Sequence, residues 1–108
     1  MNLPRRFTDL QLEQIIEEAT IYMCACPGQV AVQLRSLREL FRYQGNCEVE
    51  PGNDAAVHQT IAAATVQAYA VMEDCLDRVL SLEGWDKTRL QMPEGLRRKR
   101  AEMLERDL

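Results

Sequence analysis

Four cysteines are the residues of this sequence best suited to chemistry, and two of them, Cys24 and Cys26, stand one residue apart. The pair directly precedes Pro27 and Gly28, which predict a turn. Thiolates are soft ligands that suit Cu(I) or Zn(II). The spacing differs, however, from the C-x-x-C patterns of thioredoxin-like redox sites and paired zinc sites. A metal or redox site and simple packing at a turn therefore both stay open.

Cys75 is the third candidate ligand, because the third predicted helix runs back towards the turn and should place Cys75 at the same end of the protein. The second predicted helix, from about residue 28 to about residue 43, spans roughly 22 Å. The third climbs back from Asp54, and about 21 residues of it rise roughly 31 Å. If consecutive helices are antiparallel, Cys24, Cys26 and Cys75 converge at one end of the protein. Three such sulfurs would bind Cu(I) or Zn, or sense oxidants.

The two cysteines of the turn are not equivalent. Cys26 precedes a helix, where free backbone amides and the helix dipole favour its thiolate, so we expect it to be the reactive thiol. Cys24 follows the carboxyl end of a helix, where the same dipole disfavours a thiolate. The alternative is structural, since free cysteine packs as a small hydrophobe and Cys75 lies on an apolar stripe.

No set of acid, base and nucleophile can be assembled from the other residues. His58 is the only histidine, and nothing in the sequence indicates which residue would orient it. The neighbouring carboxylates Glu17 and Glu18 point in different directions on a helix, and no glycine-rich phosphate loop is present. We therefore predict a protein without catalytic activity of its own.

A basic segment near the C-terminus is the second candidate site. It reads Arg97-Arg98-Lys99-Arg100, and Trp85 precedes it as a possible aromatic anchor. The segment is short, acidic residues follow it, and the chain carries a net charge of −4, so nucleic acid is a poor match. We predict that these five residues form a docking surface for a protein partner of unknown identity.

Residues that typically start or end helices occur along the whole chain. Thr8 and Gln11 form a capping box at the start of the first helix, which should run from about Asp9 to Met23 or Cys24. Gly45-Asn46 predicts the end of the second helix, whose charged Arg35, Arg38, Glu39 and Arg42 should mostly face solvent. Asn53 or Asp54 caps a third helix that should end before Gly84, and Pro93 opens a polar fourth segment.

The third helix carries the strongest apolar signal. No charged residue occurs between Ala55 and Met72, but His58, Gln59 and the threonines argue against a membrane span. Glu73, Asp74, Asp77 and Arg78 should bring its last third to solvent. A helix this apolar on several sides predicts a covering partner, and a symmetric homodimer through this helix or the C-terminal segment is the simplest one. The expected core stripe consists of Val57, Ile61, Ala64, Ala68, Met72 or Val71, Cys75 and Val79.

These observations predict an all-α protein, with three antiparallel helices in an up-down bundle and a polar C-terminal helical segment. Residues 1–92 should form the bundle domain and residues 93–108 the segment. No secretory signal is visible and the four thiols should stay reduced, so we expect a soluble cytoplasmic protein. The favoured function is an interaction or adaptor protein, and the alternative is a thiol protein that binds Cu(I) or Zn or senses oxidants.

Overall fold

The computed structural model describes residues 2–21, 26–48, 52 and 54–106, and most of them are helical. The four helices are α1 (Asp9–Ile21), α2 (Cys26–Glu48), α3 (Ala55–Leu82) and α4 (Glu94–Arg106). Within these ranges there is no β-strand, and one isolated bridge joins Asp86 and Gln91. The all-α prediction is therefore confirmed. None of the helices described is both long enough and apolar enough to cross a membrane.

The start of α1 is fixed by the predicted capping box. The backbone N–H of Thr8 donates to Gln11 Oε1 at 2.8 Å, and the N–H of Gln11 donates to Thr8 Oγ1 at 3.1 Å. Two donors that a helix start leaves unpaired are thus satisfied by side chains. The predicted end of α1 at Met23 or Cys24 lies outside the described residues.

α2 is longer than the sequence predicts. It begins at Cys26, although a proline disfavours helical backbone at the residue before it, and it continues through Gly45 to Glu48. The predicted stop at Gly45-Asn46 is wrong. Gly45 does not adopt a positive φ, and no atom outside its own neighbourhood lies within 4 Å of the position its Cβ would take. Without a left-handed glycine to cap it, the helix simply continues.

Both ends of α3 follow the local signals. Asp54 is the N-cap, and its carboxylate accepts a hydrogen bond from the backbone N–H of Ala56 at 2.9 Å. At the other end Gly84 has a φ of 73°, in the left-handed region that glycine adopts without strain. The predicted third helix is confirmed at both termini.

The link between α3 and α4 is irregular, as expected, but it contributes to the core. Trp85, Leu90 and Met92 are all buried. The Asp86 carboxylate accepts hydrogen bonds from the backbone N–H groups of Arg89 and Thr88, which lower the pKa of that carboxyl. This turn folds the link back onto the helices and so closes one end of the core.

α2 packs against both α1 and α3. Along α1, Asp9 bonds Arg38 and Glu13 bonds Arg35, while Gly28 approaches Ala19 so closely that an added Cβ would lie 3.0 Å from the Ala19 Cβ. Residues further along α1 therefore contact residues earlier in α2. Against α3 the order also reverses, because Gln44 contacts His58 and Arg38 contacts Tyr69.

α4 is attached at its beginning. Leu96 packs against the buried cluster, and Arg97 Nη2 donates to both carboxylate oxygens of Glu18 on α1 at 2.7 and 2.9 Å. Glu18 is 8% exposed, so this ion pair is shielded from water on the α1 side. The first turns of α4 thus belong to the packed structure.

Candidate functional site

The cysteines occupy different environments. Cys26 is exposed at the first residue of α2, whereas Cys47 and Cys75 are half-buried. Cys24 lies outside the described residues. Among the residues that are described, no three Cys, His, Asp or Glu side chains come close enough together to hold a metal ion. The three-sulfur site of Cys24, Cys26 and Cys75 therefore remains a prediction.

The predicted docking surface is divided between core and solvent. Trp85 is only 5% exposed, and its indole N–H donates to Glu83 Oε1 at 2.9 Å, so its ring belongs to the core. Arg97 is half-buried and held by Glu18. Arg98 and Lys99 are exposed on α4. Arg100 belongs to α4 as well, but its side chain is outside the described part of the structure.

α3 turns to the core a face that lies about a quarter of a turn from the one that its apolar pattern predicts, and Met72, Cys75 and Val79 of the predicted stripe are half-buried. Its buried residues are Thr65, Tyr69, Glu73, Leu76 and Leu80. The expected core stripe lies largely outside, since Val57 is 51% exposed, Ile61 36% and Val71 67%. The sequence-based assignment of the core face was therefore wrong. The buried face presents larger side chains and places the Tyr69 hydroxyl where it can bond Arg38.

Eight residues on the outward face of α3 have the spacing of a helix-pairing seam. Along the helix they are separated by four and three residues in strict alternation, which is the spacing of the two apolar positions of a heptad. Ala64 and Ala68 lie mid-way and would let a second backbone approach closely. All members are exposed except Cys75, which is half-buried. We define the α3 seam as Val57, Ile61, Ala64, Ala68, Val71, Cys75, Arg78 and Leu82.

Two large apolar or aromatic side chains are also exposed on α2. Leu40 is 40% exposed and lies one helical turn from Gln44, which touches His58 near the start of α3. Residues four apart share a helix face, so Leu40 is on the edge of α2 that borders α3. Tyr43, at 63% exposure, adds an exposed aromatic ring on the same helix. Large apolar side chains exposed on neighbouring helices are a feature of interaction sites on folded proteins.

Arg38 is a buried cation that the sequence analysis assigned to the solvent side. Its side chain is 3% exposed. It donates to the Tyr69 hydroxyl from Nε at 2.8 Å and from Nη2 at 2.6 Å, and it also bonds the Asp9 carboxylate and the Phe7 carbonyl. The missed signal is spacing: Arg38 follows the buried Ala31 and Leu34 by seven and four residues, so it continues their stripe.

Glu73 is the second charge that the sequence analysis placed in solvent and the structure buries, at 4% exposure. Its Oε2 accepts a hydrogen bond from the backbone N–H of Arg6 at 2.8 Å, and the N–H of Phe7 lies at 3.4 Å. Arg6 also bonds the Asp74 carboxylate. Glu73 therefore fastens the N-terminal segment to α3, and that segment brings Leu3 and Phe7 onto the core.

Comparison of the chain with protein-family models, curated proteins and solved structures found no match. The function is therefore inferred from the structure itself, chiefly from the α3 seam and the buried charges.

Proposed function

We propose that this chain is a helical interaction protein without catalytic activity of its own, and that it forms a symmetric dimer through the α3 seam. The single observation that carries the proposal is the exposure of this seam along nearly all of α3. From Val57 to Leu82 the seam is about 38 Å long at 1.5 Å per residue. Pairing with a second copy removes this apolar surface from water, which is the main driving force for association.

The charges of α3 favour an antiparallel pair. Glu73, Asp74, Asp77 and Arg78 all lie in its last third, whereas no charged residue occurs between Ala55 and Met72. A parallel pair would set Arg78, the charged member of the seam, against its own copy. An antiparallel pair sets each charged third against the uncharged part of the partner helix and avoids that repulsion. The reversed contact order of α1, α2 and α3 supports an up-down bundle as the frame that presents the seam.

The mass of the protein in solution tests this proposal. We expect the unmodified chain, of 12.4 kDa, to sediment at twice that mass at micromolar concentration. Val71→Glu places an unpaired carboxylate at the centre of the seam, which costs several kcal/mol and should weaken the dimer at least about 100-fold. Val71 is exposed, so the substitution should leave the circular dichroism unchanged.

Ser81→Glu is the matched control, because Ser81 is exposed on α3 and outside the seam. It adds the same charge to the same helix and should keep the dimer. A monomeric unmodified protein would contradict the proposal, as would a Val71→Glu variant that dimerises like the Ser81→Glu variant.

A thiol function is the second candidate, and the placement of Cys26 favours it. Cys26 is exposed and begins α2, where the helix dipole stabilises a thiolate. We expect the Cys26 thiol to react with iodoacetamide faster than Cys47 or Cys75, and Cys26→Ser to remove the fast phase while Cys47→Ser preserves it. Cu(I) or Zn bound through Cys24, Cys26 and Cys75 would be lost in Cys26→Ser and Cys75→Ser but kept in Cys47→Ser. Equal thiol rates and no bound metal would contradict this candidate.

A further inference from the structure

A cavity of about 430 Å³ lies between the N-terminal segment and α2. Its volume is within the range of pockets that bind small molecules, about 300 to 1,000 Å³. Half of the side chains around it are arginines, although the protein as a whole is acidic. A local excess of cationic groups in an acidic chain is a feature that indicates an anionic ligand. The lining residues are Asn2, Leu3, Arg5, Arg38, Phe41 and Arg42.

The buried arginine of the cavity retains a hydrogen-bond donor. Arg38 carries five N–H groups. Four are used by Tyr69, Asp9 and the Phe7 carbonyl, which leaves one N–H on Nη1. Because Arg38 is almost fully buried and clamped by these partners, its guanidinium is held in place before any ligand arrives. A fixed donor of this kind gives orientation and specificity to a pocket.

The charges around the cavity leave one cation uncompensated among the described residues. Arg42 is paired with Glu39 and Arg38 with Asp9, whereas Arg5 makes no ion pair with the residues described. The hydrogen bond from Arg38 holds the pKa of the Asp9 carboxyl below its ordinary value, and the charges of Arg5 and Arg42 lower it further. The three arginines that line the cavity thus already favour the ionised form of one carboxyl, that of Asp9, which bonds Arg38.

The remaining lining is apolar. Leu3 and Phe41 are half-buried, so an alkyl or aryl group could cover them, and Asn2 adds a polar edge. We propose that this cavity binds a small monocarboxylate with an apolar tail, its carboxylate held by Arg5, Arg42 and the remaining Arg38 donor. Guanidinium groups bind carboxylates with strong, directional hydrogen bonds. One uncompensated charge matches a monoanion, whereas a phosphate dianion would carry an excess negative charge into the pocket.

Calorimetry with octanoate and with octanamide, its uncharged counterpart, tests this proposal on the full chain. We expect octanoate to bind and octanamide to bind at least about tenfold more weakly, since only the acid offers charge-assisted bonds. Arg5→Gln and Arg42→Gln should each weaken octanoate binding at least about tenfold. Arg35→Gln is the control: Arg35 is an exposed α2 arginine that bonds Glu13 and does not line the cavity.

Three results would overturn the proposal. The first is the absence of octanoate binding at millimolar concentration. The second is equal binding of octanoate and octanamide, which would show that the tail alone is recognised. The third is octanoate binding that Arg5→Gln and Arg42→Gln leave unchanged, which would place the carboxylate elsewhere on the protein.

Discussion

Arg38 shows how one buried charge connects three parts of this chain. From α2 it reaches Tyr69 on α3, Asp9 at the start of α1 and the Phe7 carbonyl of the N-terminal segment. Its guanidinium carbon also lies 5.6 Å from the centre of the Tyr69 ring. A buried cation is costly unless its donors are satisfied, and here most of them are. Burial in turn raises the pKa of the Tyr69 hydroxyl, which stays protonated as the partner of this cation.

Replacing Arg38 should destabilise the fold through the partners that it leaves behind. Arg38→Met keeps much of the side-chain volume but leaves the buried Tyr69 hydroxyl without its donors, which costs about 1–3 kcal/mol. Urea denaturation followed by circular dichroism measures the loss. Arg35→Met, at an exposed and salt-bridged arginine of the same helix, should change the free energy of unfolding by no more than about 0.5 kcal/mol. Equal effects of the two substitutions would contradict a special role for Arg38.

Among the helices, α3 shows which features of this fold depend on neighbouring residues in the sequence and which depend on distant ones. Its ends are local: Asp54 caps it and Gly84 ends it, so its bounds could be predicted from the sequence. Its orientation could not be predicted, because apolar residues occur around most of its circumference. The core selects the face with Tyr69 and Leu76, where a hydroxyl meets Arg38 and large side chains fill space. Such a choice depends on the partner helices, which a single helical pattern does not contain.

The same distinction explains the candidate sites. The place of Cys26 next to the start of α2 could be predicted from Pro27, because proline is favoured in the first turn of a helix. The burial of Trp85 depends on how the link after α3 folds back, and the burial of Glu73 depends on the N-terminal segment reaching α3. Both are contacts between residues distant in sequence, so the sequence does not show them, although Glu73 has the spacing that places it on one helix face with Tyr69 and Leu76.

Antiparallel pairing of α3 makes a prediction about which positions face each other. The whole seam overlaps its copy only if the two-fold axis passes between Ala68 and Val71, and Ala64 then faces Cys75 of the partner. The two Cys75 residues would be about 16 Å apart along the helices, at 1.5 Å per residue. In a background with Cys24→Ser, Cys26→Ser and Cys47→Ser, a short bifunctional thiol reagent should not link the two chains.

Adding Ala64→Cys to that background should restore the link, because the introduced thiol then faces Cys75. The product is a covalent dimer on a reducing gel. A parallel pair would give the opposite first result. It sets Cys75 beside its own copy, so the two chains should cross-link in this background before Ala64→Cys is added. Efficient linkage through Cys75 alone would therefore contradict the antiparallel arrangement.

At the scale of the whole molecule, the protein is elongated, with principal extents of 57, 27 and 18 Å. A thin shape exposes more surface for its volume than a compact one, and the core that α1, α2 and α3 share covers only one face of α3. A second copy on the α3 seam would cover the exposed apolar side chains along this helix. Dimerisation would thus complete a core that one chain only half encloses.

Sedimentation equilibrium of the unmodified protein, over a range of micromolar concentrations, distinguishes a dimer formed through the α3 seam from a monomer. We predict a mass of twice 12.4 kDa that falls toward 12.4 kDa on dilution, and a constant 12.4 kDa for Val71→Glu at the same concentrations. A mass of 12.4 kDa for the unmodified chain at every concentration would contradict it.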